Sequence, residues 1–176
     1  SPGAVAAPPG MAAGAPVGRG PGPPLPDTPA VPEPQMDPGV ADGTAAPFRP
    51  GSFDKVLLDA PCSGLGALRR RPDARWRIEP GDVDALAALQ RRLLDQAATL
   101  LRPGGELVYS VCTLTAAESV AVDSWLADTH PDLVALEAPS GAWRPAGRGA
   151  LLLPQAAGTD GMFLLRLRRC EGDSPS

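Results

Sequence analysis

Phe53-Asp54-Lys55-Val56-Leu57-Leu58-Asp59-Ala60-Pro61-Cys62-Ser63-Gly64 is the stretch that decides the fold. Val56, Leu57 and Leu58 form a short continuous apolar run, the pattern of a strand buried on both faces of a parallel sheet. Pro61-Cys62-Ser63-Gly64 ends it, because proline lacks a ladder donor and glycine favours a turn. Downstream, residues 80–102 carry Leu86, Leu89, Leu93, Ala97 and Leu100 three or four apart, one face of an amphipathic helix. Pro103-Gly104-Gly105 is expected to stop that helix, and Glu106-Leu107-Val108-Tyr109-Ser110-Val111-Cys112 reads as a second strand.

Thr115-Ala116-Ala117-Glu118 predicts a capping box opening a helix that runs to about Asp128. Three later apolar stretches, Leu133 to Leu136, Ala150 to Leu153 and Met162 to Leu167, are candidate strands that finish the sheet. Strands alternating with helices point to an α/β layered fold.

Upstream the composition changes. Nineteen of the first 39 residues are glycine or proline, with no apolar period. Residues 1–39 are therefore expected to be disordered, 40–170 to form the globular part, and 171–176 to be a disordered tail. A proline-rich docking ligand around Pro21 to Pro26 is the functional alternative for the first segment. No apolar run approaches the roughly 18 to 20 residues of a membrane helix, and the start lacks the basic flank and apolar core of a secretory signal. The expectation is a cytoplasmic protein with no membrane partner.

Sixteen basic and twenty acidic residues give a formal net charge of −4, which argues against nucleic-acid binding driven by bulk charge. Any RNA contact must come from a local patch. Arg69, Arg70, Arg71, Arg75 and Arg77, with Trp76 among them, form the only dense basic cluster. Guanidinium groups pair with phosphates and an indole stacks on a base, although a solvated arginine-rich face is the bland alternative. Cys62, Cys112 and Cys170 have no CxxC spacing and His130 stands alone, so neither a disulfide framework nor a metal site is expected.

Ligands of open α/β sheets bind beyond the carboxyl ends of the strands. Two strands here end near a cysteine, so adjacent parallel strands would place Cys62 and Cys112 on one edge. A free cysteine taken alone is most often an inert buried hydrophobe; the paired placement weakens that reading. Asp59, at the same edge, is either a turn carboxylate or an acceptor for a ligand amine. Asp42, in Ala41-Asp42-Gly43, reads by spacing as a turn.

The ordered series of residues 53–66, Arg70-Arg71-Pro72-Asp73, Trp76, Leu101-Arg102-Pro103-Gly104-Gly105, Tyr109-Ser110-Val111-Cys112-Thr113-Leu114, Glu118 and Thr159-Asp160-Gly161-Met162-Phe163 resembles the RsmB/Sun-type RNA cytosine-C5 methyltransferases. The resemblance implies a Rossmann-like S-adenosylmethionine-dependent methyltransferase sheet acting on ribosomal RNA. By family position it implies that Cys112 attacks carbon 6 of cytosine, Cys62 assists release, and Asp59 lies near both cofactor and base. Asp42, Asp59 and Pro61 become candidate cofactor contacts, and Arg69, Arg70, Arg71, Arg75 and Trp76 candidate RNA contacts. The target base must be unstacked, so single-stranded or looped RNA is the expected partner.

The family's glycine-rich loop after the first strand is not found upstream of Asp42, since Gly18-Arg19-Gly20-Pro21-Gly22 follows no apolar strand. The chain therefore reads as an incomplete sheet lacking its first strands, with an unpaired edge beside the strand ending at Asp59. A noncatalytic RNA-binding remnant and a DNA cytosine methyltransferase are the competing readings.

Overall fold

The computed structural model describes residues 41–171. Expectations for residues 1–39, including the proline-rich docking ligand, and for the tail beyond 171 lie outside them.

Ten elements follow in order: β1 (Phe53–Asp59), α1 (Ala74–Arg77), α2 (Pro80–Leu100), β2 (Leu101–Val111), α3 (Val120–Thr129), β3 (Leu133–Ala135), β4 (Trp143–Ala146), β5 (Gly149–Leu152), α4 (Pro154–Ala157) and β6 (Met162–Arg169). A 3-10 turn at Gly43–Ala45 precedes them. The sheet order is β1-β2-β6-β5-β4, with β3 also on β6. β1 and β2 are parallel, and every other pair is antiparallel. This is an open, mixed sheet flanked by helices, the partial Rossmann-like arrangement that the sequence suggested. All three late apolar stretches are strands; β4, interrupted by Pro145, carried no readable pattern.

Alternation along β2 and β6 sorts the sheet into two unequal faces. Leu107, Tyr109 and Val111 of β2 and Phe163, Leu165 and Leu167 of β6 are fully buried. They form the core with Leu94, Ala97 and Ala98 of α2 and with Val122 and Leu126 of α3. Pro80 at the first turn pre-sets the helical φ of α2, and the Glu79 amide donates to Asp82 Oδ2 at 2.9 Å. The buried residues of α2 are Ala87, Gln90, Leu94, Ala97, Ala98 and Leu100. They include Ala97 and Leu100 of the predicted line and lie one residue from its Leu86, Leu89 and Leu93, which are half-buried. The apolar face is broad enough for either line, and Leu93 is taken up by the Gly43 turn, where an added Cβ would stand 2.9 Å from Leu93 Cδ2.

Three expectations need correction. β1 is an edge strand, not one buried on both faces: Val56 and Leu58 pack on the core, but Leu57 is 72% exposed. Leu57 lies beside Val108, which pairs with Arg166, on the face opposite α2, and among the described residues no strand precedes β1. Pro103-Gly104-Gly105 does not stop α2, which ends at Leu100; it lies within β2. There the register jumps from Phe53 opposite Leu101 to Lys55 opposite Glu106, and Gly104 takes a φ of 76°. The third correction concerns α3, which begins at Val120 with Ser119 as its cap residue, so Thr115 and Glu118 form no capping box. Glu118 is engaged elsewhere.

Candidate active site

Because β1 and β2 run parallel, their carboxyl ends open on the same edge. Pairing continues past β1, where the Ala60 amide donates to the Ser110 carbonyl at 3.0 Å. The loop then turns back over the end of β2. Gly66 N–H donates to the Cys112 carbonyl, and Gly161 N–H donates to the Gly66 carbonyl, both at 2.9 Å. A Cβ on Gly66 would stand 2.1 Å from the Gly161 oxygen and 3.0 Å from the Cys112 carbonyl carbon, so only glycine fits this crossing.

Cys62 and Cys112 are thus brought together, both as half-buried free thiols. Burial pushes the Cys62 thiol up, amides of Gly64 and Cys112 partly offset it, and the charges of Glu118 and Cys112 add to the rise. Burial also raises Cys112, as do the carboxylates of Asp59 and Asp160, while the Arg70 guanidinium acts in the opposite direction. Asp59 is exposed and accepts a hydrogen bond from Ser110 Oγ at 3.0 Å. Pro61 offers its ring to solvent, and its carbonyl accepts from Gln90 Nε2 at 2.8 Å.

Glu118 is fully buried beneath this edge. Its Oε1 accepts from the Ser63 amide at 2.8 Å and from Gln90 Nε2 at 3.1 Å. Its Oε2 accepts from Ser63 Oγ at 2.6 Å, Thr113 Oγ1 at 3.0 Å and Thr115 Oγ1 at 2.9 Å. Burial disfavours the ionised carboxylate, but the bonds from Ser63, Thr115 and Thr113 outweigh it and hold the group below the usual range. Sequence reasoning missed this cluster. The only signal was an acidic residue a few positions after the strand-end cysteine, which local spacing explains equally well as a cap.

An open cleft of about 520 Å³ is lined by Cys112, Arg69, Arg70 and the Gly158–Met162 turn. Arg70 Nε donates to Asp160 Oδ2 at 2.6 Å across it. The basic cluster is therefore divided. Arg69 and Arg70 face the cleft, whereas Arg71 lines a separate groove with Ser63 and Arg77. The Arg75 guanidinium lies 4.6 Å from the Trp76 ring centre, Trp76 is 79% exposed, and Arg77 pairs with Asp73 at 3.3 Å.

Asp42 does not line this cleft. It caps the Gly43–Ala45 turn, accepting from the Thr44 amide at 2.9 Å and Thr44 Oγ1 at 2.8 Å, bonds that hold its carboxyl below the usual range. Trp125 packs partly against the core, and Trp143 is half-buried in β4. His130 Nε2 lies 2.9 Å from Asp95 Oδ1, and Cys170 is exposed. Among the described residues no three metal-binding side chains cluster, and no helix is long and apolar enough to cross a membrane.

Residues 39–168 match the family described as 16S rRNA methyltransferase RsmB/F. The chain belongs to the RsmB/F family. A putative methyltransferase of Mycobacterium tuberculosis is 48% identical over 132 residues, which cover 73% of this chain and 29% of that protein. Ribosomal RNA small subunit methyltransferase F of Escherichia coli is 45% identical over 129 residues, covering 69% and 27%. Among solved structures, a methyltransferase homologue of Pyrococcus horikoshii superposes with a TM-score of 0.57 at 32% identity, covering 67% of this chain and 39% of that one. NSun6 of the same organism gives 0.59 at 30%, covering 67% and 30%. The chain spans under a third of the length of these curated relatives.

RsmB/F membership supports S-adenosyl-L-methionine as the cofactor. The residues present fit part of that molecule. Asp59 is an exposed acceptor at the carboxyl end of a parallel strand, and Asp42 is an exposed, ionised acceptor able to meet amine or hydroxyl donors. Among the described residues no glycine-rich loop follows a strand upstream of β1 to receive the methionine carboxylate.

Proposed function

We propose that this chain carries the base-attacking part of an RNA cytosine-C5 methyltransferase that acts on ribosomal RNA through a covalent cysteine–cytosine intermediate. The observation that carries the reading is that Cys62 and Cys112 follow the carboxyl ends of the paired parallel strands β1 and β2, beside Asp59 at one sheet edge. The Escherichia coli relative's name supplies the substrate class. Cytoplasmic location belongs to the same proposal.

Carbon 5 of cytosine is too weak a nucleophile to take a methyl group unaided. The Cys112 thiolate bonds through Sγ to carbon 6, and the C5=C6 electron pair moves so that carbon 5 becomes the nucleophilic end of an enamine. Burial and two carboxylates oppose ionisation of Cys112, and Arg70 supports it. S-adenosyl-L-methionine, when bound, supplies an electrophilic methyl group on its sulfonium. Asp42, Asp59 and Pro61 are the residues here that would contact it. Asp59 also favours protonation of ring nitrogen 3. Afterwards the carbon-5 proton leaves, the Sγ–C6 bond breaks, and the electron pair returns to Cys112 as thiolate. Cys62 assists this release. Arg69, Arg70, Arg71, Arg75 and Trp76 contact RNA, the arginines on phosphates and the indole by stacking.

The test uses the protein expressed from its complete gene, with RNA carrying 5-fluorocytosine and cofactor, analysed by mass spectrometry. A covalent complex is expected, and an adduct that survives Cys112→Ala would defeat the role given to Cys112. With ordinary RNA, Cys62→Ala should trap the adduct, and unchanged turnover removes Cys62 from the mechanism.

A noncatalytic RNA-binding role is favoured by one observation, the exposed Arg75–Trp76 pair that lies outside the cleft lined by Cys112. Calorimetry of the 176-residue chain with S-adenosyl-L-methionine decides it. Saturable micromolar binding speaks against that second reading.

A further inference from the structure

One carboxylate holds the residue that follows each cysteine. Ser63, after Cys62, gives Glu118 both its amide and its hydroxyl, and Thr113, after Cys112, gives its hydroxyl. Ser63 Oγ and Thr113 Oγ1 are themselves 3.0 Å apart. On the other side of Cys62, the Pro61 carbonyl is held by Gln90 Nε2, which also donates to Glu118. Tyr109 locks the frame from the core, its single hydroxyl proton shared between Gln90 Oε1 at 3.0 Å and the Glu118 carbonyl at 2.9 Å. Cys62 is therefore bracketed on both sides by one network, and the same network reaches the residue next to Cys112.

Glu118 is fully buried, yet no cation pairs with it among the described residues. A buried carboxylate without a counter-ion persists only where its donors satisfy it, and here five do. An amide could keep its oxygen toward the donor-only Ser63 amide and Gln90 Nε2, but its NH2 group would have to donate to the Ser63, Thr113 and Thr115 hydroxyls, reversing three bonds and removing the charge that they hold.

We infer that Glu118 is a positioning residue that fixes the Cys62 and Cys112 loops against each other, so that the releasing thiol meets the base held by the attacking one. It touches neither RNA nor cofactor and acts through Ser63 and Thr113. The role rests on the proposed reaction.

The decisive experiment is single-turnover methylation of ordinary RNA by the protein expressed from its complete gene, with covalent adduct quantified on denaturing gels. Glu118→Gln should lower kcat by about 100-fold, the scale of an ångström-level misplacement, with KM for RNA within about twofold and adduct accumulating. Two further variants cut one tether each. Ser63→Ala should accumulate adduct like Cys62→Ala, whereas Thr113→Val should slow adduct formation. Wild-type kcat in Glu118→Gln, or a loss confined to KM, overturns the inference. If Glu118→Gln does not fold, the paired variants decide, and equal effects on formation and release, or none, overturn it. Adduct formation by Cys112→Ala instead sinks the underlying reaction, an outcome recognisable because it involves no change at Glu118.

Discussion

Arg70, in the loop that follows Cys62, is hydrogen-bonded to Asp160, in the turn that leads into β6, across the cleft containing Cys112. The two charges act oppositely on that thiol: Asp160 raises its pKa and Arg70 lowers it, with burial the largest cause of the net rise. Asp160→Asn removes an anion, so Cys112 should react with iodoacetamide at lower pH than in the wild type. Arg70→Ala removes the cation and should move the profile upward. Rates of Cys112 alkylation against pH, read by mass spectrometry, check both directions; shifts of the same sign would contradict the geometry.

Glu118 gives the fold an acid-sensitive term. Its folded pKa lies below the ordinary glutamate value of 4.5, so its stabilisation is fully present above that value and is lost as pH falls through the folded one. Chemical unfolding between about pH 5 and 3 should show this loss in the wild type. Glu118→Gln should be flatter over the same window. Glu118→Ala should cost about 3 kcal/mol at neutral pH by stranding buried donors.

Gly66→Ala should damage the site more than its size suggests. The added Cβ would press on the Gly161 carbonyl and the Cys112 backbone, neither of which is a flexible side-chain end. The expected loss is about 1 to 3 kcal/mol of stability, with Cys112 alkylation becoming faster as the loop lifts. Unchanged alkylation and melting would show that the crossing is looser than the structure has it.

Trp76 is exposed beside Arg75, and stacking on a base is worth about 1 to 3 kcal/mol. Trp76→Ala should weaken binding to single-stranded RNA by that amount without changing the melting temperature. Arg75→Ala should weaken binding and also reduce its dependence on salt. Fluorescence titrations at several salt concentrations measure both.

Leu57 lies 72% exposed on the edge strand. Where the 176-residue chain self-associates in sedimentation experiments, Leu57→Lys should lower that association, because a charged edge resists strand addition. Stability should change by less than about 0.5 kcal/mol, as for an ordinary surface position. Unaltered association would clear β1 of responsibility for it.

The site was legible in the sequence wherever chemistry follows directly from residue type at a strand end. Val56 to Leu58 before Asp59, and Leu107 to Val111 before Cys112, announced two strands whose carboxyl ends carry thiols. Alternation could not say which neighbours those strands acquire. The same apolar run at Val56 to Leu58 suits a central strand and an edge strand, and it predicted burial for Leu57 where the structure exposes it. Thr115 and Glu118 show the converse failure: four residues satisfied a local capping rule, but a carboxylate that adds two donors from Ser63 and one from Gln90, both distant in sequence, to those of Thr113 and Thr115 does not remain at a helix end.

By itself, the sequence determined the alternation of strand and helix, the family, and the thiols available for chemistry, because periodicity and short motifs are properties of neighbouring residues. Only the tertiary structure decided that Glu118 binds Ser63, 55 residues away, and that Arg70 meets Asp160, 90 residues away. Contacts over such separations depend on which loops the sheet order brings to a common edge, and no local pattern encodes that order.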